Sequence, residues 1–300
     1  MLSRMQIRRM VVVLAAAALG SAGSGVALAE PGHDPQTLYF NHGYGVIDRV
    51  TADAIEHSDY LRTFANFEVR TTTGSGGETW TGRYLYGRET YFELFGVGDL
   101  PGYPYGQSGI AVSVENDGEL ATVEQQLDNP YTGVQTRDFG DGIPVPWFDL
   151  VYTTEDLDRF FAWGLEWRDE YFADPRGKTE PPDHPGDVGR ERYLNDGYRQ
   201  HLMRDVTGVH MALTARDLAS TLPLLEAGGF SIRSTAAGAV ATDGLTTLRL
   251  DVVPLDQTGL RQLEFSLNRF VYHRHVERIA QSTLVVGPGS RAVWTFPDVE

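Results

Sequence analysis

The chain of 300 residues is 41% hydrophobic and 11% aromatic, and its net charge is −16 at pH 7. A surface this acidic repels phosphate backbones and anionic lipids, so we expect neither nucleic acid nor a membrane as a partner. Cysteine is absent, which excludes disulfides, thiolate metal ligands and cysteine nucleophiles. The length suits one large domain or two ordinary ones, stabilised by a core or by a bound ion.

The first 29 residues predict a signal peptide. A basic start, "MLSRMQIRR", precedes the apolar stretch "MVVVLAAAALG", which is too short to span a bilayer. The small-residue sequence "ALA" then predicts cleavage between Ala29 and Glu30, and hence a secreted or periplasmic protein. The pair Arg8-Arg9 leaves twin-arginine export open beside the general route. Loss of the three arginines of this segment takes the net charge from −16 to −19.

Three segments then repeat the order strand, helix, strand, strand, strand. The predicted first strands are "LYFNHGYGVI", "SGIAVSVE" and "TGVHMALT". The predicted closing strands are "ETYFELFGV", "FFAWGLEWRDEYF" and "LRQLEFSLN", of which the second is ambiguous between strand and helix. Repetition of one supersecondary unit is the strongest organisational signal in the chain. It predicts an α+β fold in which repeated βαβββ units form curved mixed sheets.

The units define the expected domain organisation. Units one and two occupy residues 38–172 and are expected to pair. Residues 173–206 are rich in proline, glycine and charge at first, and "RERYLNDGYRQHLMRD" then predicts a connecting helix. Residues 207–300 hold the third unit and a C-terminal hairpin, "STLVVGPGSRAVWTF".

Strand alternation places two polar side chains of the third unit on one face. His210 alternates with Val209 and Met211 along its strand, and Glu264 lies between Leu263 and Phe265. If the apolar residues cover the helix, His210 and Glu264 share the opposite, concave face of the sheet. Two interpretations remain open for such residues in every unit: a ligand site, or polar side chains that only meet water or a neighbouring charge.

The first unit shows a similar pattern. His42 lies within an apolar run, and Glu93 lies between Phe92 and Leu94. A glutamate in such a run is costly to bury unless it is paired or coordinates an ion. An edge position where Glu93 meets Arg88 or water is the alternative.

The recurring motifs resemble those of the vicinal oxygen chelate superfamily, which contains glyoxalase I, extradiol dioxygenases and bleomycin-resistance proteins. The matching stretches are "NHGYGVID" with "YFELFG", and "VHMALTARD" with "QLEFSL". The first unit also resembles a secreted group of glyoxalase-like proteins without assigned function. The resemblance implies that units pair, and that each half of a curved sheet gives a first-strand histidine and a last-strand glutamate to one divalent ion.

Carried over to this chain, the resemblance implies a definite set of metal ligands. They are His42, Glu93, His210 and Glu264. The second unit departs from the pattern, because Gly109 stands where its first-strand histidine should be and its closing strand offers only Glu166. If units one and two pair, the site keeps the ligands of unit one, possibly with Glu166. A complete set requires unit three to face unit one, or a second chain in a homodimer.

The resemblance also implies a chemistry for this site. Imidazole and carboxylate ligands suit zinc, iron, manganese or nickel, and the ion would bind neighbouring oxygens of a small molecule. Glu93 or Glu264 is then the candidate general base. Aromatic and basic residues of unit one could line the substrate pocket, although they could equally pack the sheet. The candidates for substrate binding are Tyr84, Tyr86, Arg88 and Tyr91.

Two hypotheses about function follow. The first is a secreted, metal-dependent glyoxalase-like enzyme, a lyase, isomerase or dioxygenase, that acts on a small oxygenated molecule. The alternative is a metal-free protein of the same fold that sequesters a small molecule.

Overall fold

The computed structural model describes residues 36–74 and 77–298. The predicted signal peptide therefore lies outside the described residues. The described chain contains both helices and long mixed sheets, which confirms the α+β fold class with repeated βαβββ units. Within these residues, no helix combines the length and apolarity that crossing a bilayer requires.

The strands and helices alternate as expected for βαβββ units. The strands are β1 (Tyr39–Ile47), β2 (Asn66–Thr73), β3 (Thr79–Tyr86), β4 (Tyr91–Gly96), β5 (Ser108–Ser113), β6 (Tyr131–Asp138), β7 (Pro144–Tyr152), β8 (Phe160–Trp167), β9 (Met203–Leu213), β10 (Ser231–Ser234), β11 (Gly238–Thr242), β12 (Thr247–Val252), β13 (Gly259–Val271), β14 (His275–Ile279), β15 (Ser282–Val286) and β16 (Gly289–Thr295). The α-helices are α1 (Arg49–Glu56), α2 (Asp59–Phe64), α3 (Glu119–Gln126), α4 (Asp169–Ala173), α5 (Arg190–Tyr193) and α6 (Ala215–Ala227).

Units one and two pair and close into a barrel. The strand order is β1-β4-β3-β2-β6-β7-β8-β5. Each first strand runs parallel to the closing strand of its own unit, because a helix carries the chain across between them. The two units meet in antiparallel pairing of β1 with β5. At the opposite seam, Thr73 of β2 pairs with Asp138 of β6.

The third unit belongs to a second sheet of eight strands. Its order is β10-β11-β12-β9-β13-β16-β15-β14. The closing strand of this unit is β12, whereas the sequence analysis assigned that role to "LRQLEFSLN", which lies in β13. The error arose at β11, because its sequence "GAVAT" consists of small residues and shows no alternation with large ones. The predicted C-terminal hairpin is formed by β15 and β16, and β14 adds a third strand beside β15.

Residues 173–206 connect the barrel to the second sheet. The continuous helix predicted there is reduced to α5 and a short 3₁₀ helix at 196–200, and β9 begins at Met203. Asn195 explains the break, since its side chain accepts a hydrogen bond from Gly197 N and caps the 3₁₀ turn.

The apolar face of the second sheet packs toward the helices and the barrel. Met211, Leu263 and Phe265 are fully buried, as the strand alternation predicts. The rings of Phe64 in α2 and Phe265 in β13 meet edge to face with centroids 5.5 Å apart. The opposite, polar face of the sheet is left for solvent or a ligand.

Asp217 in the first turn of α6 ties this helix to the barrel. Its side chain is inaccessible to solvent, and its two oxygens accept hydrogen bonds from three consecutive backbone N–H groups, of Asp158, Arg159 and Phe160. The N–H to oxygen distances are 2.8, 2.9 and 3.0 Å. The Asp217 carboxylate satisfies all three N–H groups, so a residue of the third unit fixes the backbone that leads into β8.

We expect Asp217→Asn to lower the free energy of unfolding by about 2–3 kcal/mol, because one carboxylate acceptor becomes an amide donor that faces a buried N–H. Urea unfolding measures the change. Asp59→Asn is the matched control, since Asp59 is an exposed first-turn residue of α2. Equal stability of the two variants would show that the link contributes little.

Candidate functional site

The interior of the barrel is lined by aromatic rings from several strands. The ring of His42 stacks on Tyr91 at 4.3 Å and meets Trp163 edge-on at 5.3 Å. Tyr86 lies 5.6 Å from Tyr91, and its ring is parallel to that of Tyr84. These residues come from β1, β3, β4 and β8, so only the inside of the closed sheet can bring them together.

His42 is held in one tautomer inside this lining. Its Nδ1 lies 2.8 Å from Asn41 Oδ1, and the amide nitrogen of Asn41 donates to Ser113 Oγ at 2.9 Å. Since the Asn41 oxygen can only accept, Nδ1 of His42 carries the proton and Nε2 carries the lone pair. Burial lowers the pKa of His42 to about 3, so the ring is neutral at physiological pH.

Glu93 is the acidic residue of the interior. It lies on β4 between its strand partners Tyr44 and Tyr84. Burial raises the pKa of Glu93 from 4.5 to about 8, against an opposing effect of the positive charge on Arg70. Among the residues that the structure describes, its carboxyl group has no hydrogen-bond or ion-pair partner. As a whole, Glu93 is intermediate in exposure, whereas Tyr91 and Phe92 before it and Leu94 after it are buried.

Arg70 of β2 supplies a positive charge to the same interior. Its guanidinium lies over the ring of Tyr84 at 4.5 Å and near the ring of Tyr86 at 5.9 Å. Cation–π contact of this kind favours a guanidinium that has left water. The interior therefore combines a neutral acid, a neutral imidazole and the guanidinium of Arg70 within an aromatic wall.

Tyr193 of α5 covers this interior from the connecting segment. Its ring stacks on Trp167 with a centroid distance of 3.7 Å, and it lies 6.3 Å from Tyr91. The segment is anchored by Arg190, which is buried, pairs with Glu115 and donates to the carbonyl oxygen of Phe40. The connecting segment thus contributes a wall of the site.

Of the predicted substrate-binding residues, the three tyrosines lie in this interior and Arg88 does not join them. Arg88 stands in the turn between β3 and β4, where its Nε and Nη2 donate to Glu191 at 3.0 and 2.7 Å. Arg70 and Tyr193 belong to this interior, although no sequence pattern predicted them. Arg70 lies within β2, a largely polar strand that gives no signal for a site, and Tyr193 was assigned to a connecting helix.

The second unit has no first-strand histidine, because neighbouring atoms leave no room for a side chain at Gly109. Gly109 on β5 faces Tyr44 on β1, and a Cβ atom at Gly109 would lie 2.5 Å from the Tyr44 ring and 2.3 Å from the carbonyl oxygen of Phe161. Glu166 of the second unit points toward α3, where it accepts hydrogen bonds from Gly118 N and Leu120 N. It therefore caps a helix.

His210 and Glu264 lie on the polar face of the second sheet, where both border a cleft of about 510 Å³. His210 Nε2 bonds Asp251 Oδ2 at 2.8 Å, and Asp251 also accepts from Nε and Nη2 of Arg249. Glu264 lies on β13, packed against Gly208 of β9. The imidazole of His210 is thus paired with Asp251.

Register shows that Asp251 is the counterpart of Glu93. His42 pairs with Tyr91 and the acid follows two residues later, while His210 pairs with Arg249 and Asp251 follows two residues later. Asp251 was not predicted as a site residue, because the closing strand was assigned to β13 instead of β12. The alternation in "TLRLDV" would have located it, since Leu248 and Leu250 are buried.

The predicted ligands do not fit a metal ion. His42 and Glu93 lie inside the barrel, whereas His210 and Glu264 lie on the second sheet. Over residues 36–74 and 77–298, no three histidine, aspartate or glutamate side chains form a group that could hold an ion. The resemblance predicted a four-ligand centre, and the arrangement of the two sheets separates its halves.

Comparison with protein families gives one match. The model of a family of unknown function, DUF5829, matches residues 40–296. The chain belongs to the DUF5829 family. No curated protein matches the sequence.

Several solved structures are similar to this DUF5829 chain. A hypothetical protein from Staphylococcus aureus has 11% identity and a TM-score of 0.49, over 81% of this chain and 95% of the other. BphC, a halotolerant catechol dioxygenase, has 10% identity and a TM-score of 0.43, over 90% and 89%. An extradiol ring-cleaving dioxygenase from B. fuscum has 14% identity and a TM-score of 0.36, over 72% of this chain and 54% of that one. Likenesses of this size assign no function to the DUF5829 chain.

We expect Glu93 to make stability fall as pH rises. Its pKa is raised from 4.5 in the unfolded chain to about 8 in the fold, so the fold favours the protonated form. Its contribution is complete below pH 4.5 and is lost as pH rises through 8, with a slope of up to ~1.4 kcal/mol per pH unit. Urea unfolding of wild type and Glu93→Gln from pH 5 to 9 measures this difference. A difference that does not change with pH would contradict a neutral Glu93.

Proposed function

We propose that this DUF5829 protein binds a small, oxygen-bearing organic molecule inside its barrel and does so without a metal ion. The observation that carries the proposal is the Glu93 carboxyl group, which has no hydrogen-bond or ion-pair partner among the described residues, is not fully buried, and lies beside the aromatic residues Tyr44 and Tyr84 of the neighbouring strands. Ligand sites are typically concave and largely apolar, with a few polar groups whose pKa values are perturbed.

The interior residues suggest how such a ligand would be held. A protonated Glu93 can donate a hydrogen bond to a carbonyl or hydroxyl oxygen, whereas a carboxylate could only accept. Arg70 favours an oxygen that carries partial or full negative charge. The rings of His42, Tyr86 and Tyr91 offer flat surfaces for a planar ligand.

Binding without a metal is favoured over the glyoxalase-like enzyme because of the donor set. The resemblance calls for four donors around one ion, and here two lie in each sheet. In the second sheet, Arg249 already holds Asp251, the counterpart of Glu93, with two hydrogen bonds.

We also infer that the protein is exported, which rests on the sequence of residues 1–29. Its mature form would begin at Glu30 and carry the net charge of −19. N-terminal sequencing of protein recovered from the culture medium or periplasm tests this inference, and retention of Met1 would contradict it.

We expect the purified protein to contain no stoichiometric transition metal. Elemental analysis of protein prepared without an affinity tag should show well below one ion per chain, and treatment with EDTA should leave the melting temperature unchanged, because ion binding would otherwise stabilise the fold by mass action. One zinc, iron, manganese or nickel per chain, lost in His42→Ala, would restore the metal-dependent hypothesis.

We expect acetophenone to bind more tightly than ethylbenzene, because only the ketone offers an oxygen to Glu93. Saturation-transfer NMR and equilibrium dialysis measure both probes. For wild type, ketone binding should weaken as pH rises through about 8 and Glu93 ionises. Glu93→Gln should bind the ketone equally at pH 7 and pH 9, because an amide donates at both.

Glu226→Gln is the matched control, since Glu226 is exposed on α6 and takes part in no ion pair among the described residues, and its affinity should equal that of wild type. Equal affinity for the two probes, or an identical pH profile in Glu93→Gln and wild type, would overturn the proposed role of Glu93.

A further inference from the structure

The polar face of the second sheet carries two opposite charges that do not pair with each other. Glu264 of β13 and Arg291 of β16 both border the cleft of about 510 Å³. Within the described part of the chain, neither side chain takes part in an ion pair. Both belong to a protein in which many other arginines are bound to carboxylates.

The strand register would allow these two residues to meet. In the antiparallel pair β13–β16, Glu264 is opposite Val293 and Ser266 is opposite Arg291, so the two charged residues are diagonal neighbours on one face. Their separation therefore requires a structural cause.

The cause is the way Glu264 leans. Its side chain lies over Gly208 of β9, where an added Cβ would be 3.0 to 3.2 Å from its Cβ, Cγ and Cδ atoms. β9 and β16 flank β13 on opposite sides, so Glu264 leans away from Arg291. Gln262 Nε2 donates to Glu264 Oε1 at 3.0 Å and favours this position.

The other ionisable residues that line the cleft are His210 and Arg249, and both already have a partner in Asp251 beside it. Asp251 accepts hydrogen bonds from His210 and from Arg249, which accounts for all three side chains. Hydroxyl groups of Ser266 and Ser290 line the cleft near Arg291. Among the described residues, the cleft thus presents a carboxylate and a guanidinium without ion-pair partners, the first leaning from β13 toward β9 and the second on β16.

We propose that this cleft binds a small zwitterion, with Glu264 receiving its ammonium group and Arg291 its carboxylate. Neighbouring strands are about 4.8 Å apart, so β9 and β16 are separated by about 10 Å. An amino acid with several carbons between its charges suits that distance, given the reach of the arginine side chain. Charge-assisted hydrogen bonds at both ends would give the selectivity. The site is independent of the one inside the barrel.

Isothermal titration of the full-length mature protein with 4-aminobutyrate tests this proposal, with butyrate and butylamine as singly charged comparisons. Because each lost charge-assisted hydrogen bond is worth roughly tenfold or more in affinity, wild type should bind the zwitterion at least about tenfold more tightly than either comparison. Glu264→Gln and Arg291→Gln should each lose that advantage, and 0.5 M salt should weaken binding.

Arg278→Gln is the matched control. Arg278 is exposed on β14 of the same sheet, has no ion pair among the described residues and does not border the cleft. It should bind 4-aminobutyrate as wild type does, and so should Glu93→Gln, which alters only the barrel. The proposal is wrong if wild type shows no heat of binding, if either singly charged compound binds equally well, or if both cleft variants retain wild-type affinity.

Discussion

The contact on which the rest of the molecule depends is the fit of Tyr44 against Gly109, where β1 meets β5. This seam joins the two units, and at Gly109 any side chain would collide with the ring and with the backbone of β8. The barrel can close here because residue 109 is a glycine and has no side chain. The same absence removes the histidine that a second unit would need to share a metal ion, so closure and loss of the ligand have one cause.

Two acids at equivalent positions, one inside the closed barrel and one on the open sheet, differ in the direction of their pKa shifts. Glu93 and Asp251 stand at the same register relative to His42 and His210. Inside the barrel, burial raises the pKa of Glu93, and the histidine turns to Asn41. On the open sheet, hydrogen bonds from Arg249 and His210 keep the pKa of Asp251 below its usual value despite partial burial. One pattern of residues thus gives a neutral acid in one sheet and an ion pair in the other.

The sequence predicted the fold class well because alternation is a local property. The apolar positions Val209, Met211 and Leu263 assign their strands and faces without any knowledge of neighbours. What failed depended on long-range pairing. The small residues of β11 show no alternation with large ones, so β11 was not predicted as a strand. The closing strand was therefore assigned to β13, and Asp251 in β12 was not recognised. Arg70 and Tyr193 enter the site because the barrel closes and the connecting segment folds over it, and neither event leaves a local mark.

The open polar face of the second sheet has a kinetic consequence. The strands β13 to β16 take the places that unit two takes in the barrel, yet β16 runs antiparallel to β13, and the sheet ends at two free edges, β10 and β14. The polar face consequently stays open to bulk water, and a solute could come and go at a rate limited by diffusion. The barrel interior is instead covered by Tyr193, whose ring stacks on Trp167, so a molecule bound there would exchange more slowly and its residence time would govern occupancy.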